Sequence, residues 1–359
     1  MTVACLPVVR PFRSRVVRQD WAARVVSPMF DASRDSGVGE AFRSTSPDAY
    51  AESPPALFVY RLRREGEEHV GVVCDVRAEA FVDGQVRGHE SVQPDRVEAL
   101  LRHFALAPAR SELVALLHHG GPVLARTVAA TCRTEPVVGF TGPDDLEQTV
   151  WRVPAGPDTT ALSEELSKAV HYIADGHHRV AASLQEWRLA GKPPEAGVLC
   201  VVYPMDGLRM SSFHRRVAGP VDAGRLRAQL AGAFEVRPVA DPAEATGCFA
   251  LYVDGGWADV TFPGPRPAGV RGLDVAILHD RVLAPLLADR PPGEKSLEIV
   301  PAHIPLAELA MRCDADGGAV FALRPPSLEE LTGIADRGEV MPPKTTYFEP
   351  KPYAGIFLR

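Results

Sequence analysis

The sequence lacks the features that mark membrane, secreted and zinc-knuckle proteins. No apolar run approaches the ~18 residues that a membrane-spanning helix requires, and the stretch MTVACLPVVRPFRSR has no signal-peptide core followed by a small-residue cleavage site. The six cysteines are widely separated and include no Cys-x-x-Cys pair, which argues against a zinc knuckle or a disulfide framework. These absences predict a cytoplasmic protein that does not bind a membrane.

An excess of positive charge is also missing. The formal net charge is -7, which argues against non-specific binding to nucleic acid or to an anionic membrane and favours small-molecule chemistry. The chain has 359 residues, more than one typical globular domain, so more than one compact region is expected. The sequence leaves the oligomeric state open.

Three segments differ in pattern. Residues 1–55 are rich in Pro, Ser, Arg and Asp and are predicted to wrap a core. Residues 56–216 are predicted to form that core, with a β-hairpin in ALFVYRLRR and HVGVVCDVRAEAF, an amphipathic helix in HESVQPDRVEALLRHFAL and a buried strand in VLCVVYPM. Residues 217–359 alternate helical and strand patterns and predict an α+β lobe. The fold class expected is therefore a mixed α/β protein.

The run Asp175-Gly176-His177-His178-Arg179 joins a short apolar strand to a helix. Such a junction exposes backbone N–H groups at the positive end of the helix dipole, a common way to hold phosphate. Arg179 can bind phosphate oxygens bidentately, while His177 and His178 can donate hydrogen bonds or accept a proton near neutral pH. Asp175 can ligate Mg²⁺ beside phosphate oxygens or orient a histidine.

A plainer interpretation of this run stays open. Asp-Gly is a common turn, Asp175 can cap the helix, and the histidines can be surface residues. Cations in the first helical turn oppose the dipole unless they face an anion, which favours the phosphate interpretation. The other polar groups, His89-Glu90, His214-Arg215-Arg216 and Lys344, are each more typical of structural or solvated positions when considered alone.

Several blocks together resemble, over nearly the whole length, the bacterial and archaeal family catalogued as domain of unknown function 1015. The matching blocks are Pro11-Phe12-Arg13, Ser27-Pro28-Met29-Phe30-Asp31, Ala56-Leu57-Phe58-Val59-Tyr60, Gly88-His89-Glu90, YIADGHHR from Tyr172, Phe213-His214-Arg215, FALRPP from Phe321 and MPPKTTYFEPK from Met341. Relatives usually carry Pro-Pro-Tyr-Asp where this chain has the Ser-Pro-Met-Phe-Asp block. The lost tyrosyl hydroxyl at Phe30 allows an acceptor other than serine.

That family is similar in turn to the ParB and sulfiredoxin-like fold and to the archaeal free-serine kinases, which carry a similar His-Glu pair and Asp-Gly-His-His-Arg turn. In those kinases a nucleotide donates phosphate to the hydroxyl of free L-serine. The resemblance implies a ParB/sulfiredoxin-like core with an added α+β C-terminal lobe. It also implies a kinase that uses ADP or ATP and Mg²⁺ to make O-phosphoserine from serine or a related hydroxy amino acid.

The resemblance also implies roles for individual residues. Glu90 becomes the base that accepts the hydroxyl proton. Asp175 and His177 join it as catalytic residues, and Asp175 becomes the Mg²⁺ ligand. The residues expected at the nucleotide phosphates are Gly176, His178, Arg179, His89, Arg215 and Lys344.

Two further interpretations use the same turn. A ParB-like switch would bind CTP or another nucleotide without phosphorylating a small molecule, although the acidic charge and the missing recognition helix weigh against a DNA-bound version. A nuclease or hydrolase with the histidines at a metal is disfavoured by the lack of a clear third ligand. The polar block Lys344-Thr345-Thr346-Tyr347 is expected to return to close the active site.

Overall fold

The structure is a computed structural model that describes residues 7–28, 47–106, 109–288 and 296–359. Met29, Phe30 and Asp31, where the sequence departs from the pattern of its relatives, lie outside the described residues. The backbone divides into two compact units. The first contains residues 1–88, 92–209 and 350–359, and the second contains residues 89–91 and 210–349.

Strands occur throughout the described residues. They are β1 (Val9–Arg10), β2 (Phe12–Val17), β3 (Ser27–Pro28), β4 (Tyr50–Ala56), β5 (Phe58–Arg64), β6 (Glu67–Arg77), β7 (Val86–Arg87), β8 (Val114–His118), β9 (Val138–Thr141), β10 (Glu147–Arg152), β11 (His171–Asp175), β12 (Gly197–Pro204), β13 (Arg209–Ser211), β14 (Phe213–Val217), β15 (Glu235–Val239), β16 (Phe249–Val253), β17 (Gly256–Thr261), β18 (Leu297–Pro301), β19 (Ala319–Leu323), β20 (Tyr347–Glu349), β21 (Tyr353–Ala354) and β22 (Phe357–Leu358).

Helices alternate with these strands. The α-helices are α1 (Ala22–Val25), α2 (Pro94–Leu106), α3 (Pro122–Thr131), α4 (Pro157–Lys168), α5 (His177–Leu189), α6 (Ala223–Ala231), α7 (Asp274–Leu278), α8 (Ala284–Ala288), α9 (Leu306–Asp316) and α10 (Leu328–Asp336). Short 3₁₀ helices cover Pro47–Ala49, Ala78–Phe81, Pro242–Glu244 and Gly269–Gly272, and a π-helical turn covers His279–Leu283.

A nine-stranded mixed sheet organises the first unit. Its order is β7-β11-β8-β12-β6-β5-β10-β9, with β1 also paired to β6. The pairs β7/β11 and β8/β12 are parallel, and the other pairs are antiparallel. Residues 198–203 of β12 are all buried, which confirms the strand predicted from VLCVVYPM. The mixed α/β fold class is therefore correct.

Local sequence signals explain two further elements of this unit. The β5/β6 hairpin turns at Glu65 and Gly66, both with positive φ (53° and 87°), as a tight two-residue hairpin requires. Helix α2 buries Val97, Leu100 and Phe104, the face predicted from their spacing, against Ala182 of α5. Both elements confirm the sequence prediction.

The last ten residues belong to the first unit. Strand β22 pairs with β2, which also pairs with β4, and β21 pairs with β3. The boundary between the units falls at residues 209 and 210, and the tail re-enters the first unit. The three segments expected from the sequence, 1–55, 56–216 and 217–359, stay a prediction of domain organisation.

The second unit is built on a six-stranded antiparallel sheet. Its order is β15-β17-β16-β19-β14-β18, with α9 packed on one face through Leu309 and Cys313. The predicted hairpin at Asp254 and Gly255 is present between β16 and β17, with φ of 53° and 75° at these residues. Helix α10 begins with a capping box in which Ser327 and Glu330 satisfy each other's backbone N–H groups.

Hydropathy adds one negative finding. Within the described ranges, none of the helices combines the length and apolar character that crossing a membrane requires.

Candidate functional site

The turn at residues 175–179 lies where the sequence predicts it, between β11 and α5. Asp175 is the last residue of the strand, Gly176 follows with φ 109°, and α5 begins at His177. The left-handed backbone at Gly176 favours glycine, and a Cβ atom there would make a tight contact of 3.0 Å with Arg179 Nη2. The turn therefore presents the first backbone N–H groups of a thirteen-residue helix.

Asp175 is held between two cations of the first unit. Arg179 Nη2 donates to Asp175 Oδ2, and Lys351 Nζ lies 2.8 Å from Asp175 Oδ1. Burial raises the pKa of the Asp175 carboxyl, but Lys351 and then Arg179 outweigh it and hold that pKa well below its ordinary value. Asp175 is therefore ionised throughout the physiological range.

The guanidinium of Arg179 is largely buried and holds the turn together. In addition to its bond with Asp175, Arg179 Nη1 donates to the carbonyl oxygen of Leu113, the residue before β8. Both terminal nitrogens of Arg179 are thus engaged by the protein, one by Leu113 and one by Asp175. The arrangement thus gives Arg179 a structural duty in addition to any contact with an anion.

The two histidines of the turn face different neighbours. The ring of His177 is buried against Gly88, where an added Cβ would lie 3.2 Å from His177 Cδ2. His178 Nε2 accepts a hydrogen bond from the backbone N–H of Gln93 at 3.0 Å, immediately before α2. Because Nε2 accepts, the neutral ring of His178 carries its proton on Nδ1.

The described residues offer Asp175 alone, without a cluster of further protein ligands, for the expected Mg²⁺. Each oxygen of Asp175 accepts one hydrogen bond, Oδ1 from Lys351 and Oδ2 from Arg179, which leaves one lone pair on each. In the part of the chain that the structure describes, no group of three or more His, Cys, Asp and Glu side chains could hold a metal ion. The Mg²⁺ ligand role expected for Asp175 stays a prediction, since one carboxylate together with nucleotide phosphates is a common Mg²⁺ site.

His89 and Glu90 belong to the second unit, where the predicted C-terminal block lies beside them. Glu90 forms a parallel bridge with Met341, and the Met341 N–H donates to the His89 carbonyl at 2.7 Å. His89 is 1% exposed, and its Nε2 lies 3.0 Å from Thr346 Oγ1. Burial lowers the pKa of His89 to about 4, so the imidazole is neutral at pH 7 and contributes no positive charge.

Lys344 meets Glu90 through its backbone. The Lys344 N–H donates to Glu90 Oε1 at 3.5 Å, and Lys344 has a φ of 58°, in the left-handed region that favours glycine. Its Nζ lies 5.1 Å from the centroid of the Phe213 ring. The neighbouring Thr345 hydroxyl donates to the Pro342 carbonyl at 2.6 Å, within the loop of residues 341–346.

Arg215, on β14, uses its guanidinium to bind backbone. Its Nη2 donates to the carbonyls of Pro343 (3.3 Å) and Lys344 (3.1 Å), and its Nη1 donates to that of Phe213 (3.0 Å). The residue is 4% exposed, and burial lowers its pKa to about 10. Arg215 therefore reaches the same loop that contacts Glu90.

The predicted site residues thus form two groups. One, in the first unit, contains residues 175–179, and the other, in the second unit, contains His89, Glu90, Arg215 and Lys344. Sequence reasoning missed Lys351, which pairs with Asp175 across 176 positions. A signal was present, because the chain has only five lysines and this one ends the MPPKTTYFEPK block.

Comparison with known proteins identifies a family for this chain. The family model described as protein of unknown function (DUF1015) matches residues 49–276. No curated protein matches the chain significantly.

Among solved structures, a free serine kinase in complex with AMP is 17% identical, with 77% of this chain and 86% of that chain covered and a TM-score of 0.40. A conserved hypothetical protein from Pyrococcus furiosus is 17% identical (80% and 93% covered, TM-score 0.40), and SbnI with a C-terminal truncation from Staphylococcus aureus is 12% identical (77% and 82% covered, TM-score 0.41). These are distant similarities. The family model, by contrast, spans more than half of the sequence, and the chain belongs to the DUF1015 family.

Proposed function

We propose that this chain is a phosphotransferase that uses ADP or ATP to phosphorylate free L-serine, or a related small hydroxy amino acid, and forms O-phosphoserine or its analogue. The observation that carries the proposal is the turn at residues 175–179, where a glycine turn opens a long helix among basic side chains. Such a helix start binds phosphate groups through its N–H donors and its dipole.

The charge at this turn suits a nucleotide. Two cations, Lys351 and Arg179, pair with the Asp175 carboxylate beside the helix N-terminus. Phosphoryl transfer requires positioning and charge neutralisation more than covalent chemistry from the protein. The helix start and the two cations are the groups that would supply both.

Glu90 is the group to which we assign the acceptor proton. In the reaction, the hydroxyl oxygen of serine bonds to the terminal phosphorus of the nucleotide, the bond from that phosphorus to its bridging oxygen breaks, and AMP or ADP leaves. The hydroxyl proton passes to the Glu90 carboxylate, which acts as a general base. Any Mg²⁺ would accompany the nucleotide phosphates.

Product identification tests the proposal directly. Purified protein is incubated with L-serine, MgCl₂ and ADP or ATP, and then with a panel of other hydroxy amino acids, and the products are identified by mass spectrometry. Phosphoserine or a phosphorylated analogue, formed together with AMP or ADP, is the expected result. The absence of a phosphorylated product across the whole panel would refute the kinase.

Calorimetry separates this function from a nucleotide-binding switch. ADP, ATP and CTP are titrated with and without L-serine. A kinase is expected to bind ADP or ATP in preference to CTP and to bind the amino acid in the same complex. Binding of CTP that serine does not affect, without any phosphorylated product, would favour the switch.

A further inference from the structure

The loop that contacts Glu90 is held by a buried arginine. We infer that Arg215 is a positioning residue, which fixes the backbone of Lys344 so that the Lys344 N–H is presented to the Glu90 carboxylate. The inference rests on the proposed function, because it concerns the carboxylate assigned there as the base. It gives Arg215 and Lys344 a role other than contact with the nucleotide phosphates.

The hydrogen-bond donors of the Arg215 guanidinium reach backbone carbonyls. Its guanidinium donates to four backbone carbonyls, those of Phe213 and His214 in its own strand and those of Pro343 and Lys344. A buried guanidinium is costly unless its donors are satisfied, so these carbonyls are what make its position tolerable. An arginine engaged in this way holds a loop in place.

The backbone of Lys344 adopts a conformation that is unusual for a lysine. A lysine at φ 58° occupies a conformation that its Cβ disfavours, and such strain persists only where the surroundings impose it. Arg215 supplies that restraint by binding the carbonyl of Lys344 and the carbonyl before it. Strained residues of this kind are frequent at functional sites.

The backbone N–H of Lys344 contacts the Glu90 carboxylate. The ammonium group is directed to the face of the Phe213 ring, and the contact with Glu90 Oε1 comes from the backbone N–H. Its length of 3.5 Å is at the upper limit of a hydrogen bond, and contacts of this kind commonly tighten when substrate binds. A backbone donor orients a carboxylate without the entropy cost of ordering a long side chain.

The loop of residues 341–346 is held on both sides of Lys344. Met341 bonds to the His89 carbonyl before it, and Thr346 lies within hydrogen-bond distance of His89 after it. The loop therefore cannot slide relative to Glu90 without breaking these contacts. Loss of Arg215 would release its centre while the two ends stay attached.

Selective labelling tests this without any need for catalysis. With ¹⁵N-lysine, the full chain gives at most five backbone amide signals, and Lys344→Met identifies the signal of Lys344. In the wild type, this amide is expected to shift with pH as Glu90 titrates, and the shift is expected to vanish in Glu90→Gln. In Arg215→Met the dependence should also vanish, whereas Arg215→Lys, which keeps a cation but loses the planar fork, should retain part of it.

Kinetics supply the second readout. Arg215→Met is expected to lower kcat by about 10- to 100-fold while the KM for nucleotide stays within about twofold, because a misplaced base affects the chemical step. The acid limb of the pH–rate profile should move to higher pH, because the carboxylate loses a donor. The matched control is Arg271→Met, which removes an exposed arginine of the same unit and should leave all of these readouts unchanged.

The outcomes distinguish the inference from the function on which it rests. An Arg215→Met protein whose Lys344 amide still follows the titration of Glu90 would overturn the inference, whether or not the chain is a kinase. A raised nucleotide KM with unchanged kcat would also overturn it, because that result indicates a phosphate contact. If the amide behaves as expected but no phosphorylated product forms, the positioning role stands and the kinase is refuted. If Arg215→Met does not fold, Arg215→Lys carries both readouts.

Discussion

Two carboxylates of this chain are held in contrasting ways. Asp175, in the first unit, is bound by the side-chain cations Lys351 and Arg179, whereas Glu90, in the second unit, accepts a hydrogen bond from the backbone N–H of Lys344. Two cations hold the Asp175 carboxylate in its ionised form and make it a poor proton acceptor. Asp175 is therefore suited to a structural counter-ion, and the proposed reaction assigns the base to Glu90 instead.

Among the variants that distinguish the two carboxylates, Glu90→Gln is expected to have the largest effect on activity. We expect kcat to fall by about 10²- to 10⁴-fold, because the amide cannot accept the hydroxyl proton, while the free energy of unfolding changes by less than about 1 kcal/mol. Activity is measured by mass spectrometry of the phosphorylated product and stability by urea denaturation. The control Glu235→Gln, on the exposed strand β15, should change neither quantity. An active Glu90→Gln protein would remove the base from the proposed reaction.

In contrast to Glu90→Gln, Asp175→Asn is expected to lower the free energy of unfolding. It leaves Lys351 and Arg179 without their shared counter-ion, and we expect a loss of about 2 kcal/mol in the free energy of unfolding, less than for a fully buried pair because Lys351 is partly exposed. Adding Lys351→Met should recover part of the loss, with a coupling of about 1 kcal/mol in the double-mutant cycle. Lys168→Met, at the exposed end of α4, is the control. Strictly additive losses would contradict the ion pair.

The dependence of stability on pH tests buried histidines in both units. Burial lowers the pKa of His171 in the first unit, and of His89 and His214 in the second, to about 4. The unfolded chain, with histidine pKa values near 6.5, therefore binds more protons between about pH 6.5 and pH 4, and stability falls as the pH is lowered through that window. We expect a loss on the order of a few kcal/mol in urea denaturation, and a smaller loss in His89→Gln. A free energy of unfolding that stays constant from pH 7 to pH 4.5 would contradict the burial of these rings.

Local features of this fold could be predicted from sequence, and long-range ones could not. The β5/β6 hairpin, helix α2 and the turn at residues 175–179 follow from glycine positions and apolar spacing, which act over a few residues. The pairing of Lys351 with Asp175 depends on the return of the tail to the first unit, which no local pattern encodes. For the same reason, the sequence identified Arg215 and Lys344 as cations but could not indicate that one is buried against carbonyls and that the other contacts Glu90 through its backbone.

The smallest expected effect compares two left-handed positions, one occupied by glycine and one by lysine. Gly176 has φ 109°, and a Cβ there would lie 3.0 Å from Arg179 Nη2, whereas Lys344 adopts φ 58° with its side chain in place. At an ordinary backbone position, glycine is less stable than alanine by roughly 0.5–1 kcal/mol. At position 344 the order should reverse, because alanine retains a left-handed cost of roughly 1–2 kcal/mol that glycine does not have.

Lys344→Gly should therefore be more stable to urea than Lys344→Ala, by up to about 1 kcal/mol, since both lose the contact with Phe213 and only the backbone cost differs. Gly176→Ala supplies the matching case in the first unit and should cost more than about 1 kcal/mol, because strain and a close approach to Arg179 act together. If Lys344→Ala proves the more stable of the two lysine variants, the backbone at Lys344 is not strained. Arg215 would then not restrain a strained backbone at Lys344.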